Sequence, residues 1–142
     1  MNRRYPRDYW GHKLKQKGKK TVRISFVNIN GIGWRAKSEK SEDIRRYMED
    51  HQVVDVMGLC ELGVNWGKVH NAHTLWDRTK KWFPSRRVGV AYNTTERISS
   101  RAQQGGTSTL VVNEVSHRCT EVGFDDTGLG RWSWVLIKGK QR

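Results

Sequence analysis

Asn28, Asn30 and Glu61 are the residues whose type and spacing could do chemistry. Asn28 and Asn30 close the stretch Arg23–Gly31, and Glu61 closes the stretch Val54–Glu61. One carboxylate and two amide oxygens make a seat for a hard divalent cation, because such ions prefer oxygen ligands. Mg²⁺ is the expected ion, with Mn²⁺ as its substitute. Glu61 and Asn30 are the expected metal ligands, and Asn28 completes the catalytic group. Taken singly, each residue has a plainer reading. A glutamate at a strand end is solvated, and Asn before Gly31 suits a turn.

For these side chains to meet, two strand ends must lie side by side. Thr21–Asn28 is rich in β-branched residues and Phe, without Gly or Pro, and reads as a strand. Val53–Leu59 is apolar almost throughout, as in a strand covered on both faces. Between them, Ile44, Tyr47 and Met48 fall at i, i+3 and i+4, the spacing of one helical face. Ser38 or Ser41 caps that helix, Glu42 and Asp43 suit its first turn, and it ends near His51 or Gln52. A strand–helix–strand order implies a parallel pair with a right-handed crossover.

The rest of the chain reads as one helix and four short strands. Asn71–Phe83 is helical and stopped by Pro84. Strands follow at Arg87–Tyr92, Thr107–Val115, Thr120–Phe124 and Arg131–Lys138. Their short connections predict antiparallel pairing. Gly105 and Gly106 open the fourth strand, and 125–130 is a hairpin loop. The seven Trp are read mainly as core, with Trp34 and Trp66 in loops where they could touch a substrate.

The chain has 142 residues, enough for one domain with a core. Residues 1–20 form a basic arm that lacks the apolar content to fold: Arg3, Arg4, Arg7, Lys13, Lys15, Lys17, Lys19 and Lys20 stand against Asp8 alone. Residues 21–142 form the domain. The net charge is +13, which points to an anionic partner, nucleic acid before an acidic membrane surface. The eight basic residues of the arm are the candidate phosphate contacts, with Tyr5, Tyr9 and Trp10 able to stack on bases. No run approaches the roughly 18 apolar residues of a membrane span, and none follows the basic N-terminus as in a secretory leader. Cys60 and Cys119 are the only cysteines, too few for a disulfide framework. The expected setting is intracellular, nuclear or cytoplasmic.

Two motifs, Asn28-Ile29-Asn30-Gly31 and Val56-Met57-Gly58-Leu59-Cys60-Glu61, carry a family resemblance. The chain resembles the N-terminal half of an endonuclease/exonuclease/phosphatase (DNase I-like) domain. Its style is nearest to the endonucleases of non-LTR retrotransposons and to apurinic endonucleases. The likeness runs from about Thr21 to Ile137. It implies an α+β fold: the first half of a DNase I-like sandwich, a mixed β-sheet with helices on one face. It also implies Mg²⁺-dependent phosphodiester hydrolysis, with Glu61 at the metal-binding glutamate and Asn28 and Asn30 at the polar positions ending the first strand. Many relatives carry Asp where Asn30 stands and Gln where Cys60 stands, which weakens the site here. Complete domains of that family are much longer. Their second half supplies a Tyr, an Asp-x-Asn pair and a Ser-Asp-His stretch, none of which occurs here. The expectation is therefore a truncated domain with half a catalytic site, acting on DNA rather than RNA, with no membrane partner. Self-association through an exposed sheet face is expected as well. The competing functions are an inactive remnant that binds nucleic acid and a phosphatase for small anions.

Overall fold

The computed structural model describes residues 14–33, 38–51, 53–84, 87–95 and 99–139. Arg3, Arg4, Arg7, Lys13 and Trp34 lie outside them. The fold is α+β. Among the described residues, six strands make a four-stranded mixed sheet and a two-stranded one. β1 (Ile24–Asn28) and β2 (Val56–Cys60) are the expected parallel pair. β4 (Thr107–Val111) runs antiparallel to β2, and β3 (Gly89–Tyr92) antiparallel to β4, giving the order β1-β2-β4-β3. β5 (Cys119–Phe124) and β6 (Ser133–Ile137) form a separate hairpin.

Strand alternation divides the large sheet into two faces. Met57, Leu59, Leu110 and Val90 point to the first face and form the main core. α1 (Glu39–Arg46), the π turn that continues it (Tyr47–His51) and α2 (Leu75–Trp82) cover this face, supplying Ile44, Met48 and Leu75, with Phe83 just beyond α2. Ser38 is the cap of α1. Its Oγ accepts from the Ser41 amide at 3.1 Å and donates to the Ile32 carbonyl at 2.8 Å. That bond ties the helix start to the loop after β1. Thr74 caps α2 in the same way, accepting from the Asp77 amide. The second face carries Val56 and Val111, packed with Val115 and Cys119 against Val135 and Ile137. The hairpin therefore covers only part of this face.

Three readings of the sequence change. The fourth strand stops at Val111, and a 3₁₀ turn over Asn113–Arg118 follows. Asn113 has φ 59°, a left-handed conformation that ends a strand, and its amide donates to Asp55 at 3.0 Å. The second helix starts at Leu75, after a separate 3₁₀ turn at Asn71–His73. The Trp residues divide differently from the expectation. Trp66 is a core residue, 5% exposed and edge-on to Tyr92, so it is closed to a substrate. Trp76, Trp132 and Trp134 are exposed. No helix among the described residues is long and apolar enough to cross a membrane.

Candidate functional site

The parallel pairing of β1 and β2 sets the ends of both strands side by side, with Asn28 opposite Cys60. The chain then leaves each strand through a tight loop. Asn30 adopts φ 47° and Glu61 φ 55°, left-handed conformations that cost a residue with a side chain about 1–2 kcal/mol. Such costs persist where the surroundings fix the backbone, and they cluster at functional sites.

What fixes it here is main chain bonded to main chain. The Gly31 amide donates to the Glu61 carbonyl at 2.6 Å and the Ile32 amide to the Leu62 carbonyl at 2.9 Å. The Gly63 amide donates to the Gly105 carbonyl at 2.9 Å, and Leu62 to Gly106 at 3.3 Å. Three loops, 28–32, 60–64 and 103–106, are thereby joined into one rim. The loops meet at van der Waals distance, where a Cβ on Gly63 would touch the Gly31 Cα at 3.5 Å, and Gly63 takes φ 71°, a conformation that favours glycine.

The rim encloses an open cleft of about 370 Å³, lined by Asn30, Gly31, Glu61, Gly63, Gln104 and Gly105. Two of the three expected site residues, Asn30 and Glu61, thus face one space. The Glu61 side chain is exposed and has no hydrogen bond or ion pair with a described residue. Asn28 sits just below, and its Oδ1 accepts from the Asn30 amide at 3.0 Å. Its carbonyl oxygen shapes the loop that presents Asn30.

Lys40 and Gln104 were not legible as site residues. Lys40, in the first turn of α1, donates from Nζ to the carbonyls of Ile29 at 2.9 Å and Asn30 at 2.6 Å. It holds the Asn30 loop and sets a positive charge at the rim. A lone lysine in a basic chain gives no signal of such a role. Gln104 reaches the cleft because its neighbour is anchored by the hairpin turn, where Gln103 Nε2 donates to the Gly128 carbonyl at 2.9 Å.

The end of the basic arm lies elsewhere. Lys17 Nζ meets Asp55 Oδ1 at 2.5 Å, and Asp55 is fully buried. Asp55 also accepts from the Arg23 amide at 2.8 Å, and the Arg23 guanidinium donates to the Lys15 carbonyl. Asp55 precedes β2 and Glu61 follows it. At the rise of an extended strand the arm is therefore anchored about 20 Å from the Glu61 carboxylate. Lys15, Lys19 and Lys20 are exposed beside this anchor.

The hairpin turn has its own buried carboxylate. Asp125 accepts from the Thr127 hydroxyl at 2.5 Å, the Thr127 amide at 3.0 Å, and the Arg131 amide and Nε, each at 3.1 Å. The Thr127 hydroxyl bond is the largest cause holding its pKa far below the usual carboxylate range; the Arg131 bonds add to it against the opposing effect of burial. Four donors make this a structural carboxylate. Comparison of the chain with models of known families, with curated proteins and with solved structures finds no match. The family resemblance rests on the two sequence motifs alone.

Proposed function

We propose that the chain is a Mg²⁺-dependent phosphodiester hydrolase of the DNase I-like type with an incomplete catalytic site, directed at nucleic acid and nearest to retroelement endonucleases. One observation carries this reading: Asn30 and Glu61, from the ends of two parallel strands, line the same cleft. The donor set fits a hard cation. A carboxylate and an amide oxygen would hold it, leaving coordination positions for water and phosphate oxygens. When bound, such an ion polarises the phosphoryl group and stabilises the leaving oxygen. The chain's own part is positional. Asn28 and Lys40 shape the loop that carries Asn30, and the ammonium group favours an anionic substrate at the rim. The setting proposed is intracellular, nuclear or cytoplasmic, with Cys60 and Cys119 as free thiols.

A second reading is favoured by the composition of the cleft. Its six described residues include one carboxylate and no histidine to activate water. On that reading the chain is a remnant that binds nucleic acid without cutting it. Plasmid nicking separates the two. The hydrolase reading expects nicking that needs Mg²⁺, stops with chelator and falls at least about a hundredfold in Glu61→Ala, a loss of roughly 2.7 kcal/mol of transition-state stabilisation. Salt-sensitive DNA binding without nicking establishes the remnant. Equal nicking by wild type and Glu61→Ala removes Glu61 from the chemistry.

A further inference from the structure

The second face of the large sheet is covered on one side only. β5 packs over β3, and β6 over β3 and β4, with Val135 and Ile137 packed against the buried cluster that includes Val56 and Val111. Ile24 and Phe26 of β1 share this face, since they stand opposite Val56 and Gly58. They remain 74% and 73% exposed. Phe26 lies across Gly58, where an added Cβ would come within 2.3 Å of its ring. The result is an apolar floor beside the hairpin.

The wall of this slot is the free edge of β6. Among the described residues β6 pairs with β5 alone. The Asp125 amide donates to the Trp132 carbonyl at 3.0 Å. Antiparallel alternation then makes Gly123 and Trp134 the next hydrogen-bonded pair, and turns the amide and carbonyl of Ser133 and Val135 away from β5. Because β5 lies toward β3, these groups face the space above β2 and β1.

We propose that this slot receives an extended strand from an acidic partner protein, which pairs with β6 and lays apolar side chains on Ile24 and Phe26. Main-chain donors and acceptors along one wall and an apolar floor below are the two requirements that strand addition meets together. Nucleic acid offers neither a matching peptide ladder nor aliphatic side chains. Charge sets the sign of the partner. Lys19 and Lys20 precede β1, Lys138 follows β6 at the same end of the slot, and the chain carries +13. Carboxylates on the guest are attracted there, and a basic guest is repelled. A second copy of this chain is disfavoured by the same charge. The inner face of its own β6 is also already packed on its own Val56 and Val111. The proposal stands on packing and owes nothing to Glu61.

The test uses the full chain and a fluorescent peptide of about eight residues, a common strand length, alternating valine with glutamate and threonine. Saturable binding is expected, weaker on the order of tenfold when lysine replaces glutamate and likewise in Phe26→Lys. Phe26 is exposed, so that variant keeps its fold, which circular dichroism verifies. Two isomers of the peptide, N-methylated on alternate residues, probe the ladder without altering the protein. One isomer blocks the donors that face β6 and loses affinity; the other retains it. Equal affinity of the two isomers overturns strand pairing. Absence of binding, or displacement of the peptide by an oligonucleotide, overturns the proposal too. So does concentration-dependent dimerisation that Phe26→Lys abolishes and the peptide does not compete with, which makes a second copy the occupant.

Discussion

Glu61 keeps a left-handed backbone under an exposed side chain, so its conformation costs stability that the side chain does not return through any bond to a described residue. Glu61→Gly relieves the strain but loosens the unfolded chain. The expected net effect is stabilisation of up to about 1 kcal/mol in urea denaturation, together with loss of Mg²⁺-dependent nicking. A destabilised Glu61→Gly would show that the side chain holds the loop. Asp125 behaves in the opposite way, because its donors hold its folded-state pKa well below the ordinary value. A depressed carboxylate stabilises the fold fully above its unfolded value near 3.9 and loses that contribution as pH falls below it. Asp125→Asn is expected to unfold at lower urea than wild type at neutral pH, with the gap narrowing below about pH 4. A gap that does not change with pH would mean that the ionised form carries no advantage. At this scale the motifs disclosed Asn30 and Glu61 because a polar residue closing a strand-like apolar run is a local pattern. Lys40, Gln104 and Asp55 were hidden because their roles come from neighbours distant in sequence, and Asp55 stands inside an apolar run.

Between elements, glycines mark where strands meet another layer, and two of them are predicted to respond differently. A Cβ on Gly89 would stand 2.8 Å from the Cys119 Sγ, which is buried between the sheet and the hairpin. A Cβ on Gly58 would meet the Phe26 ring, which is exposed and free to swing outward. Gly89→Ala is expected to cost about 1–3 kcal/mol and Gly58→Ala less than about 0.5 kcal/mol, read from urea midpoints. Equal costs would mean that Phe26 is as firmly seated as Cys119. Element type was well marked by periodicity, the parallel β1–β2 pair followed from its helical crossover, and the β5–β6 pair from its short connection. β4 pairs instead with β2, distant in sequence, and not with β5, which no connection length announces. The ends were less legible. Asn113 breaks the fourth strand because it is recruited by buried Asp55, and local propensity carries no trace of that bond. Likewise, the alternation in β6 separates Trp132 and Trp134 from Ser133 and Val135, yet only the packing of Val135 and Ile137 against the cluster around Val56 and Val111 decides which set turns inward.

Across the whole molecule, the arm anchor and the cleft lie at opposite ends of β2, so the phosphate contact proposed for the arm and the chemistry proposed for the cleft can be tested separately. Removing residues 1–13 is expected to flatten the salt dependence of DNA binding, by up to about 0.9 in log–log slope for each phosphate no longer neutralised, while leaving the unfolding midpoint unchanged. Lys17→Met is expected to act on the fold instead. It leaves buried Asp55 without its ammonium partner, at a cost of about 1–3 kcal/mol in urea denaturation. If both changes altered binding and stability alike, arm and body would be one cooperative unit. The three loops around the cleft carry a longer consequence. They are laced by peptide groups, and a peptide group is indifferent to the side chain it bears. Positions 30, 61 and 104 can therefore be exchanged while the lacing persists. An ancestral chemistry could fade, or a different one be installed, without the scaffold being rebuilt around it.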